Sequence, residues 1–104
     1  MNSTVKPVRS AIESAQRTIA IELQAVAALQ QRIDDRFAKA VALLAAVEGR
    51  VIVSGMGKSG HIGSKIAATL ASTGTPAQFV HPAEACHGDM GMITRSDAAL
   101  LMSN

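Results

Sequence analysis

The chain has 104 residues, enough for one small domain, and 48% of them are apolar, with only two aromatic side chains, Phe37 and Phe79. The formal net charge is +2 and the Lys and Arg residues are scattered, so no basic patch indicates nucleic-acid binding. No apolar run is long enough to cross a membrane, no signal peptide is evident, and the single Cys86 cannot form an internal disulfide. These features predict a cytoplasmic protein without a membrane partner.

The first half of the chain has the periodicity of helices. Apolar residues recur at seven-residue intervals, which predicts one long helix from residue 7 to about residue 31 with Pro7 in its first turn. The pair Asp34 and Asp35 favours the start of a second helix, for which Gly49 is the predicted end. We therefore predict an N-terminal helical segment over residues 1–49. The seven-residue stripe consists of Ile12, Ile19, Val26 and Ile33.

From residue 50 the pattern alternates between short β-branched runs and helical stretches. Such alternation predicts a parallel sheet with helices on its faces, and we expect three strands in the order 2-1-3 or its mirror image. One more strand–helix unit is expected after Asn104. The predicted strands are residues 51–53, 77–80 and 98–102, and the main predicted helix is residues 60–72.

A glycine-rich turn at residues 55–60 follows the first predicted strand. Glycines let a backbone approach an anion closely, and the N–H groups at a helix start point toward it, so the turn predicts a phosphate site. Lys58 and Ser59 lie in the turn, where an ammonium and a hydroxyl can reach a phosphate or a sugar oxygen. A dinucleotide site would need an acid at the end of the second strand, which is absent, and a Walker loop would need glycine at Ile52.

Lys58 is the first candidate for chemistry in this turn. An exposed lysine is usually only a solvated side chain, but one between glycines and a serine at a strand end favours a functional role. His81 and His87 follow the second strand and flank Glu84. His81 is a candidate metal ligand or hydrogen-bond donor, and His87 a candidate donor to a sugar hydroxyl or an acid–base group. Their spacing matches no defined metal motif.

Three further residues complete the candidates. His61 opens a predicted helix, and we interpret it as a surface residue outside the site. Cys86 precedes His87 in sequence, but neighbours along a chain usually point apart, so we interpret Cys86 as a small packing residue. Ser103 follows the third strand and is predicted to contact the ligand at the same edge of the sheet.

Four blocks, at residues 55–63, 71–76, 80–85 and 87–93, resemble in order and spacing the sugar isomerase (SIS) domain of arabinose-5-phosphate isomerases. The resemblance covers nearly the whole chain but only about the first half of that domain, and none of the paired CBS domains that commonly follow. It implies a doubly wound parallel α/β sheet of the SIS type, Rossmann- or flavodoxin-like, which is incomplete over residues 50–104 and preceded by N-terminal helices.

The resemblance also implies an activity and roles for individual residues. The family interconverts ribulose 5-phosphate and arabinose 5-phosphate through an enediol, without a cofactor, and feeds the Kdo branch of lipopolysaccharide synthesis in Gram-negative bacteria. Lys58 would be catalytic, and His81 would contact substrate and bind an inhibitory zinc. Relatives are usually tetramers, so we expect a homo-oligomer. The further substrate contacts implied are Gly74, Thr75 and His87.

The family's third strand leads into a loop reading Ser-Asn-Ser-Gly-Glu, of which this chain contains Ser103 and Asn104. The family's later glutamates and histidine lie beyond that point. We therefore expect the 104 residues to be inactive alone and marginally stable unless they oligomerise. Two alternatives stay open: a non-catalytic SIS module that senses sugar phosphates, and a nonfunctional truncated gene product.

Overall fold

A computed structural model describes the backbone of residues 2–86 and 88–103, and the side chains of residues 7–86, 88 and 91–103. The backbone forms two compact units, Met1–Lys39 and Ala40–Asn104. The predicted domain boundary between residues 49 and 50 stays a prediction. The helices are α1 (Asn2–Gln30), α2 (Asp35–Ala45), α3 (Gly57–Ser72), α4 (Pro82–Ala85) and a 3₁₀ turn (Asp89–Met92), and the strands are β1 (Val51–Gly55), β2 (Ala77–Phe79) and β3 (Ala98–Met102).

Helix α1 confirms the long N-terminal helix but corrects its start. It begins at Asn2, so Pro7 lies inside the helix and not in its first turn. The proline ring fixes φ near a helical value, and its missing N–H removes the bond to the carbonyl four residues earlier. That lost bond falls close to the helix end, where intrahelical hydrogen bonding is already incomplete.

Helix α2 begins where the sequence predicts but ends earlier. The backbone N–H of Arg36 donates to Asp34 Oδ1 at 3.0 Å, which satisfies one of the unpaired donors at the helix start. The helix ends at Ala45, so the prediction that Gly49 ends it is wrong. Gly49 is instead required by packing: its N–H donates to the carbonyl of Ser96 at 2.9 Å, and a Cβ there would collide with the side chain of Asp97.

The three strands form one parallel sheet in the order β2-β1-β3, which confirms the predicted topology. Val51 is paired with Ala77 on one side and with Ala98 on the other. The central strand is buried because both of its edges are paired, and α3 packs on one face. The core consists of Val51, Val53 and Ala67, with Leu44, Leu70, Ala77, Phe79, Leu100 and Met102 packed around it.

Parallel pairing places the carboxyl ends of all three strands at one edge of the sheet, which we call the carboxyl edge. The chain leaves β1 at Gly55 and enters α3 almost at once. A Cβ on Gly55 would lie 3.0 Å from the carbonyl oxygen of Met102 and 3.2 Å from that of Ser59. The first strand can therefore approach both β3 and α3 closely here. In the part of the chain that the structure describes, no helix is both long and apolar enough to span a bilayer.

Candidate functional site

The first turn of α3 lies directly at the carboxyl edge. Gly57 has a φ of +60°, in the left-handed region that favours glycine, and a Cβ at this position would meet nothing within 4 Å. Met56 precedes the helix in an extended conformation, and its side chain makes no capping hydrogen bond. The first N–H groups of an α-helix have no intrahelical acceptor, so this uncapped turn is suited to an anion. Lys58 is exposed on the same turn.

One cleft of about 560 Å³ opens beside this turn, and we call it the serine cleft. Its lining brings together Ser59 from the first turn of α3 and Ser103 from the end of β3. Their contact with a ligand stays a prediction. Ser54 adds a third hydroxyl from β1, and Pro82 and Leu101 line it with apolar groups. Sequence reasoning did not select Ser54, although its position at the end of a buried strand was a usable signal.

A second cleft of about 350 Å³ is lined by other residues of the same turn, and we call it the histidine cleft. Gly57 and Gly60 of α3 line it together with two histidines, His61 and His81. The sequence interpretation left His61 outside the site, whereas the structure places it in one cleft with His81. The first turn of α3, which carries Lys58, therefore contributes residues to two clefts that share no lining residue.

His81 is held by a hydrogen bond at the start of α4. The backbone N–H of Ala83 donates to His81 Nδ1 at 3.1 Å, so the neutral ring carries its proton on Nε2. Nε2–H is then a hydrogen-bond donor, and binding a metal through that nitrogen would require a change of tautomer. Among the described residues, no three His, Cys, Asp or Glu side chains cluster as a metal site. Zinc at His81 stays a prediction.

Two of the remaining predicted substrate contacts, Gly74 and Thr75, do not lie beside Lys58. Gly74 and Thr75 follow α3, whose 16 residues span about 24 Å, and they lead into the start of β2. They therefore lie at the edge of the sheet opposite to Lys58, and their contact with substrate stays a prediction. His87 lies outside the described residues. Cys86 is exposed at the end of α4, so its interpretation as a packing residue is wrong.

A further cleft, of about 660 Å³, lies at the amino end of β3 and is not part of this site. One of its two acidic lining residues, Asp97, is 3% exposed and already bonded, because it accepts hydrogen bonds from the backbone N–H groups of Arg50 and Thr94. The bond from Arg50 is the main reason that the pKa of Asp97 is lowered, and the bond from Thr94 adds to it. This carboxylate therefore has a structural role.

The chain matches a protein-family model and is similar in sequence to known proteins. Residues 44–104 match the model of the SIS domain family. The chain is 68% identical over 93 residues to arabinose 5-phosphate isomerase KdsD of Pseudomonas aeruginosa strain PAO1, covering 89% of this chain and 28% of that protein. It is 56% identical over 92 residues to arabinose 5-phosphate isomerase GutQ of Salmonella typhi, covering 88% of this chain and 29% of that protein.

A solved structure is also similar. A structure of an Escherichia coli CFT073 protein in complex with arabinose 5-phosphate matches with a TM-score of 0.65 at 50% identity, covering 67% of this chain and 37% of that chain. The chain thus spans between a quarter and a third of the length of the two relatives in sequence, 28% and 29%.

Proposed function

The chain belongs to the SIS domain family, and on that basis we propose that the full-length protein carrying this sequence is a sugar-phosphate isomerase. The reaction we propose is the interconversion of arabinose 5-phosphate and ribulose 5-phosphate. Support comes from two relatives named arabinose 5-phosphate isomerase, at 68% and 56% identity, and from a similar structure in complex with arabinose 5-phosphate.

The observation that carries this proposal is the meeting of two serines beside a lysine. Ser59 and Ser103 line one cleft although they are far apart in sequence, and Lys58 lies on the helical turn that borders it. Hydroxyls, free backbone N–H groups and a nearby ammonium are the groups that bind a phosphorylated sugar. We propose that the phosphate binds at the serine cleft and that the sugar extends past Lys58.

The proposed chemistry transfers one proton between C1 and C2 of the sugar. A base removes the proton from the carbon next to the carbonyl, the electron pair forms an enediolate, and the proton returns to the neighbouring carbon. The ammonium of Lys58 would stabilise the developing negative charge, and the Nε2–H of His81 can donate a hydrogen bond to a sugar oxygen. The phosphate would orient the substrate without taking part.

Among the described lining residues of the two clefts there is no carboxylate that could act as the base, and the two histidines lie in the histidine cleft only. A missing acid–base group typically lowers a rate by about 10²–10⁴-fold. We therefore propose that turnover belongs to the longer protein and that the 104 residues alone are inactive.

We further propose that the protein is a cytoplasmic homo-oligomer. The stripe of α1 is strongly exposed: Ile19 is 67% and Val26 is 64% accessible. Large apolar side chains exposed at helical spacing along a whole helix favour a partner helix. In a second copy of the chain α1 carries the same stripe, so pairing of the two helices would bury both stripes.

The decisive experiment measures isomerisation by the full-length protein in a coupled assay with ribulose 5-phosphate. We expect turnover in the wild type, and a loss of at least about 100-fold in Lys58→Ala, because the charge that stabilises the enediolate is removed. Lys65→Ala is the matched control, since Lys65 is an exposed lysine of the same helix that lines neither of the two clefts.

Three outcomes would change the proposal. Wild-type turnover in Lys58→Ala would remove Lys58 from the mechanism. Binding of sugar phosphates without turnover by the full-length protein would make it a sensor rather than an enzyme. Clear turnover by the 104 residues would show that the catalytic groups all lie within this chain.

A further inference from the structure

The histidine cleft combines an apolar floor with several polar side chains. Phe79, at the end of β2, lines the cleft together with one histidine from α3 and one from the loop after β2. His61 and Ser64 come from α3, and His81 follows β2. Its volume of about 350 Å³ falls in the range of small-molecule sites, which typically hold about 300–1,000 Å³ and combine apolar walls with a few polar groups.

Helix α3 packs closely on the sheet beside this cleft. Gly60 and Gly63 are buried at the contact: a Cβ on Gly60 would lie 2.6 Å from the carbonyl oxygen of Gly55. A Cβ on Gly63 would lie 3.3 Å from the ring of Phe79. Any larger residue at these two positions would push the helix away from β2.

Helical spacing explains which α3 residues reach the cleft. Gly57, His61 and Ser64 are four and three residues apart, so they follow one another along a single face of the helix. Lys65 and Thr69 line a different surface cleft together with Ile62. The face with the histidine and the serine is therefore distinct from the rest of α3.

The hydrogen-bonding capacity of these side chains suits sugar hydroxyls. The tautomer of His81 fixed by Ala83 presents a donor at Nε2. A neutral His61 offers one donor and one acceptor, and the hydroxyl of Ser64 can do both. A sugar hydroxyl likewise donates and accepts, whereas a phosphate mainly accepts.

We propose that the histidine cleft is the subsite for the hydroxyl-bearing carbon chain of the sugar, with His61 and Ser64 as substrate-binding residues. This inference rests on the proposed function, with the phosphate in the serine cleft and Lys58 on the turn that contributes to both clefts. A pentose phosphate bound at that turn would place its phosphate in the serine cleft and its hydroxyls in the histidine cleft. His61 and Ser64 then determine which sugar is accepted.

The test measures binding of arabinose 5-phosphate and of inorganic phosphate to the full-length protein by calorimetry, together with KM and kcat. For His61→Ala and Ser64→Ala we expect Kd and KM for the sugar phosphate to rise roughly three- to tenfold, because each variant loses one or two hydrogen bonds to the sugar. We expect kcat to change less than KM and the Kd of inorganic phosphate to stay the same. Lys65→Ala, on the other cleft of α3, should change none of these values.

The outcomes separate this inference from the proposed function. An active wild type whose sugar affinity is unchanged in both variants overturns the subsite and leaves the isomerase intact. Equal weakening of sugar phosphate and inorganic phosphate also overturns it, because the cleft would then hold the phosphate. Selective loss of sugar binding in a protein without turnover supports the subsite and rejects the enzyme. A wild type that binds no sugar phosphate overturns both.

Discussion

The backbone N–H of Arg50 donates to Asp97 Oδ1 at 2.7 Å, and the guanidinium of the same arginine lies 3.6 Å from Oδ2. That guanidinium also donates to Gln78 Oε1 and to the carbonyl oxygen of Met92, both at 2.8 Å. One residue at the start of β1 therefore connects β2, the 3₁₀ turn and the loop before β3. Because the 3₁₀ turn follows the segment that begins at His81, this network also holds the carboxyl end of that segment.

Removing the Asp97 carboxylate should destabilise the protein. Asp97→Ala leaves the N–H groups of Arg50 and Thr94 without their acceptor in a nearly inaccessible position. We expect the melting temperature to fall by at least about 4 °C, measured by circular dichroism. Glu13→Ala is the matched control, because Glu13 is an exposed carboxylate on the surface of α1, and exposed charges contribute little to stability. Equal effects of the two variants would show that the network around Asp97 is dispensable.

The same carboxylate should make stability depend on acid pH. Its pKa is lowered from 3.8 in the folded state, chiefly by the Arg50 N–H, so the unfolded chain takes up its proton first as pH falls. The contribution is therefore complete above about pH 4 and decreases as pH drops through the folded-state pKa. Urea unfolding at pH 6 and pH 3 should show a smaller loss of stability in Asp97→Ala than in the wild type. An identical loss in the two proteins would contradict this assignment.

The sheet was predictable because its signals are local. A β-branched run at residues 51–53 followed by a glycine-rich turn specifies a buried strand and a helix start whatever the rest of the chain does. The sequence therefore predicts the parallel order correctly, and it predicts that Ser59 and Ser103 meet at one edge, because parallel strands end together.

What the sequence does not predict depends on contacts between distant segments. Arg50 and Asp97 are 47 positions apart, and neither belongs to a recognisable motif. Gly49 looks like a helix end, but glycine is required there because the Asp97 side chain occupies the space of a Cβ. His61 lines one cleft with Phe79, which belongs to a different element 18 positions further along the chain. Such packing depends on three-dimensional distances that a one-dimensional pattern does not contain.

The close packing of α3 leads to a prediction about its glycines. Ala normally stabilises a helix relative to Gly by about 0.5–1 kcal/mol, but Gly60→Ala would place a methyl group 2.6 Å from a backbone oxygen of Gly55. We expect a net destabilisation of about 1–3 kcal/mol in urea unfolding, together with weaker sugar-phosphate binding as the histidine cleft opens. Gly91→Ala is the control, since a Cβ there meets nothing within 4 Å. If Gly60→Ala keeps the wild-type stability and binding, α3 can shift away from Gly55 without a cost in free energy.

The exposed stripe of α1 predicts how copies of the protein associate. Burying an Ile or Val side chain contributes roughly 1.5–3 kcal/mol, so a helix that leaves several of them accessible gains by pairing with another. Ile19→Lys combined with Val26→Lys would place two charges in that contact, and desolvating them costs more than the apolar contact contributes. We expect the full-length protein to dissociate toward monomers in multi-angle light scattering, while circular dichroism shows that its helix content is retained.

The control must add the same charge elsewhere on α1. Ser10 and Gln24 lie on the opposite face in the seven-residue repeat, and both are exposed. Ser10→Lys combined with Gln24→Lys should therefore leave the molar mass unchanged, because a solvated helix face tolerates lysine. Dissociation by both double variants would attribute the effect to net charge, and dissociation by neither would place the oligomer contact outside α1. A wild type that is monomeric at high concentration would rule out the homo-oligomer altogether.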